Sequence, residues 1–337
     1  MLIIDGSTGE GGGQILRTAL ALSICQSRSF RIEKIRRTRD KPGLRQQHLS
    51  AVNAAAVVSH AEVHGAELGA DCLEFFPERA TGGEYRFDIG TAGSTTLVLQ
   101  TILPPLLLAR HRSRITIIGG THNPNAPPFE FIQQAFLPLL KRMGAEVAAR
   151  LVRAGFYPRG GGCIEVNIEP VSQLQPLTLM ERGRILSRHV YAAVSHLPRH
   201  IAEREAATLT GLLGIDERDT EIQRLDAYGP GNVVTVTIGS ENITEVFTGF
   251  GELGVPAEDV AANVAREVTR YLATEAPVGP RLADQLLIPL ALAGHGAYKT
   301  LTPTRHTLTN IGIIKQFLDV NVELLQLNEQ TWVVRFG

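Results

Sequence analysis

Asp5-Gly6-Ser7-Thr8-Gly9-Glu10-Gly11-Gly12-Gly13-Gln14-Ile15-Leu16-Arg17 follows an apolar run, Leu2-Ile3-Ile4, and opens a helical pattern. The stretch reads as a strand-to-helix turn largely stripped of Cβ atoms, and it sets the α/β reading of the chain. Gly9, Gly11, Gly12 and Gly13 would let backbone N–H groups and the positive end of a helix meet an anion. Glu10 is out of place in such a cradle. A carboxylate repels phosphate unless a divalent cation lies between them, or it simply caps the helix. No Gly-Lys-Ser/Thr follows, which excludes a P-loop, and Gln14 stands where the dinucleotide pattern needs its last Gly. A phosphate or metal site and a purely structural turn both fit these residues.

Working outward, residues 1–63 read as strand 2–5, helix 12–26, strand 29–36 and helix 45–59. Strands follow within 61–64, 72–76 and 84–89, and then a helix from Ser94. A second unit has strand 114–118, a Gly/Asn/Pro loop over 119–128, helix 129–143, and strands 146–153 and 163–168. Beyond Pro176–Arg182 the texture becomes more charged: strand 187–194, helix 199–213, strands 233–238 and 243–248, and helix 256–273. The earlier theme then resumes with helix 282–293, strand 297–300, helix 308–317 and strands 321–326 and 330–335. The spacing predicts one large α/β domain, 1–182 plus 276–337, carrying a smaller inserted α/β domain, 183–275.

With 337 residues and 44% hydrophobic content the chain can bury a large core. A net charge of −1 gives no global pull on nucleic acid, so any such contact must be local. Arg31, Lys34, Arg36, Arg37, Arg39, Lys41 and Arg45 form one basic run, opposed only by Glu33 and Asp40. Taken alone, the run is a solvated strand edge and loop or a weak RNA-backbone contact. Cys25, Cys72 and Cys163 are odd in number and far apart, offering neither a disulfide framework nor a zinc spacing. They read as buried thiols of a cytoplasmic protein. The N-terminus runs straight into a strand pattern without a leader signature. Leu97–Ala109 is too short for a membrane span and holds Pro104-Pro105, so a buried, kinked helix is expected there.

Further motifs follow in order: Lys41-Pro42-Gly43-Leu44, Gln47-His48-Leu49, Gly93-Ser94 with Leu97-Val98-Leu99-Gln100, Gly155-Phe156-Tyr157-Pro158, Pro198-Arg199-His200, Gly229-Pro230-Gly231-Asn232, Leu282-Ala283-Asp284-Gln285 and Arg305-His306-Thr307-Leu308-Thr309-Asn310. With the glycine turn they make the chain resemble the RNA 3′-terminal phosphate cyclases over nearly its whole length. The resemblance implies an α/β (α+β) fold: a large domain of repeated βαβ-type units similar to the C-terminal domain of translation initiation factor three, with a smaller inserted domain. It also implies a reaction. ATP adenylylates a histidine, AMP passes to an RNA 3′-phosphate, and the vicinal 2′-OH closes a 2′,3′-cyclic phosphate and releases AMP.

Such chemistry needs an imidazole with a free lone pair, a divalent ion on the triphosphate, and cations on the leaving pyrophosphate. By the resemblance, His306 accepts the nucleotide and Glu10 binds Mg²⁺ or Mn²⁺. Arg17, Arg36 and Arg39 hold phosphates, and Gln47 and Gln100 add neutral donors. Pro127 packs on the adenine and Asp284 lies beside the nucleotide. ATP, a divalent cation and RNA ending in a 3′-phosphate are thus the expected ligands, and His48 is the runner-up histidine. Arg281 departs from the family pattern: relatives can present an aromatic residue three places before that Asp, and here a guanidinium plane would have to stack on adenine. Two alternatives are a cyclase-like ribosome-assembly protein, which lacks the catalytic histidine, and an enolpyruvyl-type transferase, which needs no adenylylated histidine. His306, Glu10 and the Arg set argue against the first.

Overall fold

In a computed structural model describing residues 1–337, the glycine-led unit is one βαβαββ motif, and the chain uses that motif three times. The first comprises β1 (Leu2–Asp5), α1 (Gly13–Gln26), β2 (Phe30–Glu33), α2 (Gln46–Ser59), β3 (Glu62–His64) and β4 (Leu73–Phe76). Its sheet order is β1-β2-β4-β3, with β1 and β2 parallel and the other pairs antiparallel. The second has β5 (Glu84–Asp88), α3 (Thr95–Leu107), β6 (Ser113–Gly119), α4 (Phe129–Phe131), a π-helical turn (Ile132–Phe136), α5 (Leu137–Arg142), β7 (Glu146–Arg153) and β8 (Gly162–Glu169). It repeats the pattern as β5-β6-β8-β7.

The third motif is interrupted. It opens with β9 (Leu177–Leu179), after which come β10 (Ile185–Ser195), α6 (His200–Leu213), β11 (Thr220–Arg224), β12 (Gly231–Ser240), β13 (Thr244–Phe250) and α7 (Ala257–Leu272). These strands form their own sheet, β11-β10-β12-β13. The motif then resumes with α8 (Pro280–Ala293), β14 (Gly296–Leu301), α9 (Arg305–Phe317), β15 (Val322–Gln326) and β16 (Thr331–Phe336), giving β9-β14-β16-β15 with β9 parallel to β14.

One apolar core of 62 buried residues joins the three motifs, and a second of 19 lies mainly under the fourth sheet. The two interlock: Ile243 and Val246, at and beside the start of β13, enter the main core, while Leu301 of β14 enters the second. Arg182 donates to Thr274 O at 2.6 Å and packs 4.5 Å above the Tyr271 ring, so it ties together the two connections of the intervening segment.

Several expectations shift. The strand expected over 29–36 stops at Glu33, because Lys34 (φ 54°) and Arg36 (φ 52°) take left-handed backbone and turn the basic run away from the sheet. The helix expected from 308 starts at Arg305, capped by Thr304, whose Oγ1 accepts Thr307 N–H at 3.0 Å. The single helix expected over 129–143 contains the π-helical turn: Pro138 has no N–H for the usual bond, and the register shifts ahead of it. β9 is too short to show alternation, and β11 (Thr-Glu-Ile-Gln-Arg) is a polar edge strand, so neither stood out in the sequence. Of the cysteines only Cys163 is buried; Cys25 and Cys72 are half-buried, and all three are free thiols. α3 carries Pro104 and Pro105 in its last turn, and no helix is long and apolar enough to cross a membrane.

Candidate active site

The first turns of α1, α2, α8 and α9 open into one cleft of about 720 Å³. Each helix start brings unpaired N–H groups and a partial positive charge, so the fold concentrates an anion-attracting field before any side chain is counted. Five guanidinium groups then line the cleft (Arg17, Arg36, Arg39, Arg45 and Arg281) against two carboxylates, Glu10 and Asp284. Gln47, Gln100, Pro127 and His306 line it as well, so all ten residues singled out in the sequence share one wall-to-wall space.

Local folding explains the placements. In α1 only Gly13, Arg17 and the last two residues escape full burial, and Arg17, a turn beyond Gly13, reaches the cleft. Gly11 has φ +60°, the left-handed turn that lets the chain double back before the helix. A Cβ on Gly13 would lie 2.7 Å from the His48 ring Cδ2 and 2.9 Å from Arg17 Nη1, so glycine keeps this part of the cleft open. In α3 Gln100 is the one residue not buried; it donates to Gln285 Oε1 at 3.2 Å. The Pro127 carbonyl accepts Thr96 Oγ1–H at 2.7 Å, which fixes its loop on α3.

The glycine turn is sewn to α9. Glu10 N–H donates to Thr309 Oγ1 at 2.9 Å, and Thr18 Oγ1–H donates to Asn310 Oδ1 at 2.5 Å. These bonds bring together chemistry from opposite ends of the chain. His306 Nδ1 lies 2.6 Å from Gln14 Oε1 and 3.2 Å from Glu10 Oε2, while Arg39 pairs with Glu10 Oε1. The hydrogen bond between Glu10 and His306 holds the carboxyl below its ordinary range and raises the imidazole. Asp284 is pushed up to about 6 by burial, although Thr307 and Thr304 both donate to it. Burial lowers Arg17 to about 10, and its buried Nε has no hydrogen-bond partner.

His48 differs from His306. Its Nδ1 accepts the Arg45 N–H at 3.0 Å, and burial, followed by Arg17, Arg36 and Arg45, pushes it down to about 3. Arg36 is held by the carbonyls of Lys41 (2.6 Å) and Gly43 (3.1 Å). Arg281 lies 3.7 Å from Glu267 of α7 as well as on the cleft wall. Elsewhere in the basic run, Arg31 pairs with Glu33 and Glu74, and Lys34 pairs with Asp5. Arg45, read from sequence as part of a solvated face with a weak RNA-backbone role, is exposed and lines the cleft. Gln14 was noticed only as a missing glycine; its contact with His306 spans 292 positions of sequence, which no local pattern reports.

No three His, Cys, Asp or Glu side chains are grouped to hold a metal ion by themselves. Glu10 supplies one carboxylate, and the Asp284 oxygens are engaged by two threonines. This donor set suits a hard cation of the Mg²⁺ type that keeps water and phosphate oxygens as its other ligands.

Fold and cleft together define an α/β protein in which four helix starts and five guanidinium groups surround a histidine. The family model for RNA 3′-terminal phosphate cyclase matches residues 8–324. An RNA 3′-terminal phosphate cyclase of Koribacter versatilis (strain Ellin345) is 50% identical over 325 residues, 96% of this chain and 92% of that protein. The chain belongs to the RNA 3′-terminal phosphate cyclase family. Among solved structures, the enolpyruvyl transferase NikO from Streptomyces tendae matches with 11% identity and a TM-score of 0.36, covering 99% of this chain and 48% of that one. The chain spans about half of that structure's length, and so distant a likeness carries no functional argument.

Proposed function

We propose that the chain converts an RNA 3′-terminal phosphate to a 2′,3′-cyclic phosphate at the expense of ATP, through a covalent His306–AMP intermediate, in the cytoplasm. The observation that carries this reading is the tethering of His306 by Nδ1 to Gln14 and Glu10, which leaves Nε2 unengaged in a cleft walled by five arginines. Nε2 attacks the α-phosphorus of ATP; the Nε2–P bond forms as the P–O bond to pyrophosphate breaks, and pyrophosphate leaves with the electron pair. An oxygen of the RNA 3′-phosphate then attacks the same phosphorus, and the N–P bond breaks to return the imidazole. Finally the substrate's 2′-OH attacks the 3′-phosphorus and expels AMP.

Arg17, Arg36, Arg39 and Arg45 bind and orient the two phosphate groups, and helix starts add N–H donors. Gln47 and Gln100 supply further neutral donors. A divalent cation, Mg²⁺ or Mn²⁺, held by Glu10 would supply neutralisation of the triphosphate. Pro127 and Arg281 flank the adenine, with Asp284 beside the nucleotide. Residues 183–275 act as a domain inserted in a large one of 1–182 and 276–337.

The test uses ATP labelled on the α-phosphate. Wild-type protein is expected to form an acid-labile, base-stable AMP adduct, and His306→Ala is expected to lose both the adduct and cyclisation from ATP. The same variant should still close RNA supplied with a pre-formed 3′-phosphate–adenylate, because the last step uses the substrate's own hydroxyl. Adduct formation by the variant would move the assignment away from His306.

A further inference from the structure

Nδ1 of His306 faces two oxygens, and the shorter contact is to the neutral one: Gln14 Oε1 at 2.6 Å against Glu10 Oε2 at 3.2 Å. An ionised carboxylate only accepts, so the Glu10 contact makes Nδ1 the donor. A donor at Nδ1 in turn requires the oxygen, not the nitrogen, of the Gln14 amide to face it. Glu10 has other claims on it, since its Oε1 takes Arg39. Gln14 has none: its side chain makes no other hydrogen bond within the protein, and the residue is 7% exposed. It grows from the second position of α1, a helix packed on nearly every side, so its reach is set by the core.

We propose that Gln14 is the positioning residue that keeps His306 in the Nδ1–H tautomer, so that the Nε2 lone pair remains available for transfer. The inference rests on the reading of His306 as the AMP acceptor. As the Nε2–P bond forms, the ring gains positive charge while its proton stays on Nδ1. Alongside Glu10, a neutral amide oxygen steadies that proton without taking it. The same logic accounts for glutamine at the position where a dinucleotide-binding turn has glycine. The turn needs a carbonyl there, and glycine has no side chain to offer one.

The experiment pairs ¹⁵N-histidine NMR of the ATP-free protein with single-turnover AMP transfer. In wild type, at a pH above the raised imidazole pKa, His306 is expected to show a protonated Nδ1 and a bare Nε2. Gln14→Leu, which removes the acceptor at similar size, should mix in the Nε2–H form and slow adduct formation roughly 10–100-fold with ATP affinity unchanged. Gln14→Glu, which restores an oxygen, should return the Nδ1–H form. A folded Gln14→Leu protein with the wild-type spectrum and rate would overturn the proposal. Should Gln14→Leu fail to fold, Gln14→Glu decides, and loss of the Nδ1–H form there would also overturn it. Absence of any adduct in wild type would instead sink the His306 reading, and the spectra would still test the tautomer.

Discussion

Two imidazoles face the same cleft, and the nitrogen each one engages separates their work. His48 spends Nδ1 as an acceptor for the Arg45 N–H, so its proton sits on Nε2 and it stays neutral, with a donor and no free lone pair. His306 spends Nδ1 as a donor and keeps Nε2. Glu10 touches both His306 and Arg39 and gives a second test at this scale. Glu10→Ala is expected to weaken adenylylation far more than RNA binding, with partial rescue as Mg²⁺ or Mn²⁺ is raised, measured by adduct yield across a metal titration. An unchanged metal dependence would leave Glu10 only as the partner of His306 and Arg39. At this scale the meeting of the ten singled-out residues in one cleft was legible in the sequence, starting from a carboxylate inside a glycine turn that conflicts with its surroundings. Gln14 and Arg45 were not legible, since their meaning comes from contacts made across the tertiary fold.

Among the elements, α8 repays attention because its first turn carries Arg281, where the family resemblance leads one to expect that an aromatic residue can stand. Its guanidinium has two possible uses, a planar face for adenine and a charge for Glu267 of α7 at 3.7 Å. Stacking predicts that Arg281→Ala raises the ATP requirement by roughly 0.5–2 kcal/mol, that Arg281→Tyr preserves ATP use, and that Arg281→Lys resembles Ala. If charge alone matters, Lys will behave as wild type in the same ATP kinetics. An element with strong periodicity, such as α7, was readable from the chain alone. β9 was not, because three residues cannot display a period, and its pairing with β14 is what gives it identity. The start of α9 was misread for a related reason: the cap depends on Thr304 and Thr307 exchanging bonds, and the apolar stripe begins later.

For the whole molecule, the seam between the fourth sheet and the three motifs holds a buried acid. Glu245 of β13 accepts the Gly279 N–H at the start of α8 at 2.5 Å, and burial pushes it up to about 8, with Arg281 and the Tyr271 hydroxyl as its charged and titratable neighbours. The folded chain therefore keeps a proton that the unfolded chain releases near the ordinary value of 4.5. Stability is then fullest below that value and declines as pH rises toward about 8, by a few kcal/mol at most. Glu205, pushed up to about 7 by burial, adds the same sign. Glu245→Gln is expected to shrink the fall in urea midpoint between about pH 5 and about pH 8; an unaltered fall would locate the proton elsewhere. The threefold motif itself was only half visible, as recurring strand–helix–strand texture, because the interruption between β9 and α8 hides the third copy. That interruption bears on how the chain assembles in time. β9 must find β14, Leu177 against Gly296, across the whole fourth sheet, and closing so long a loop from a disordered chain carries a large entropic cost. If the fourth sheet condenses first, Arg182 clasping Thr274 delivers β9 and α8 side by side, and the long loop behaves as a short one. Arg182→Ala should accordingly slow refolding while leaving the unfolding rate near wild type in stopped-flow measurements, the signature of a contact already made at the folding barrier.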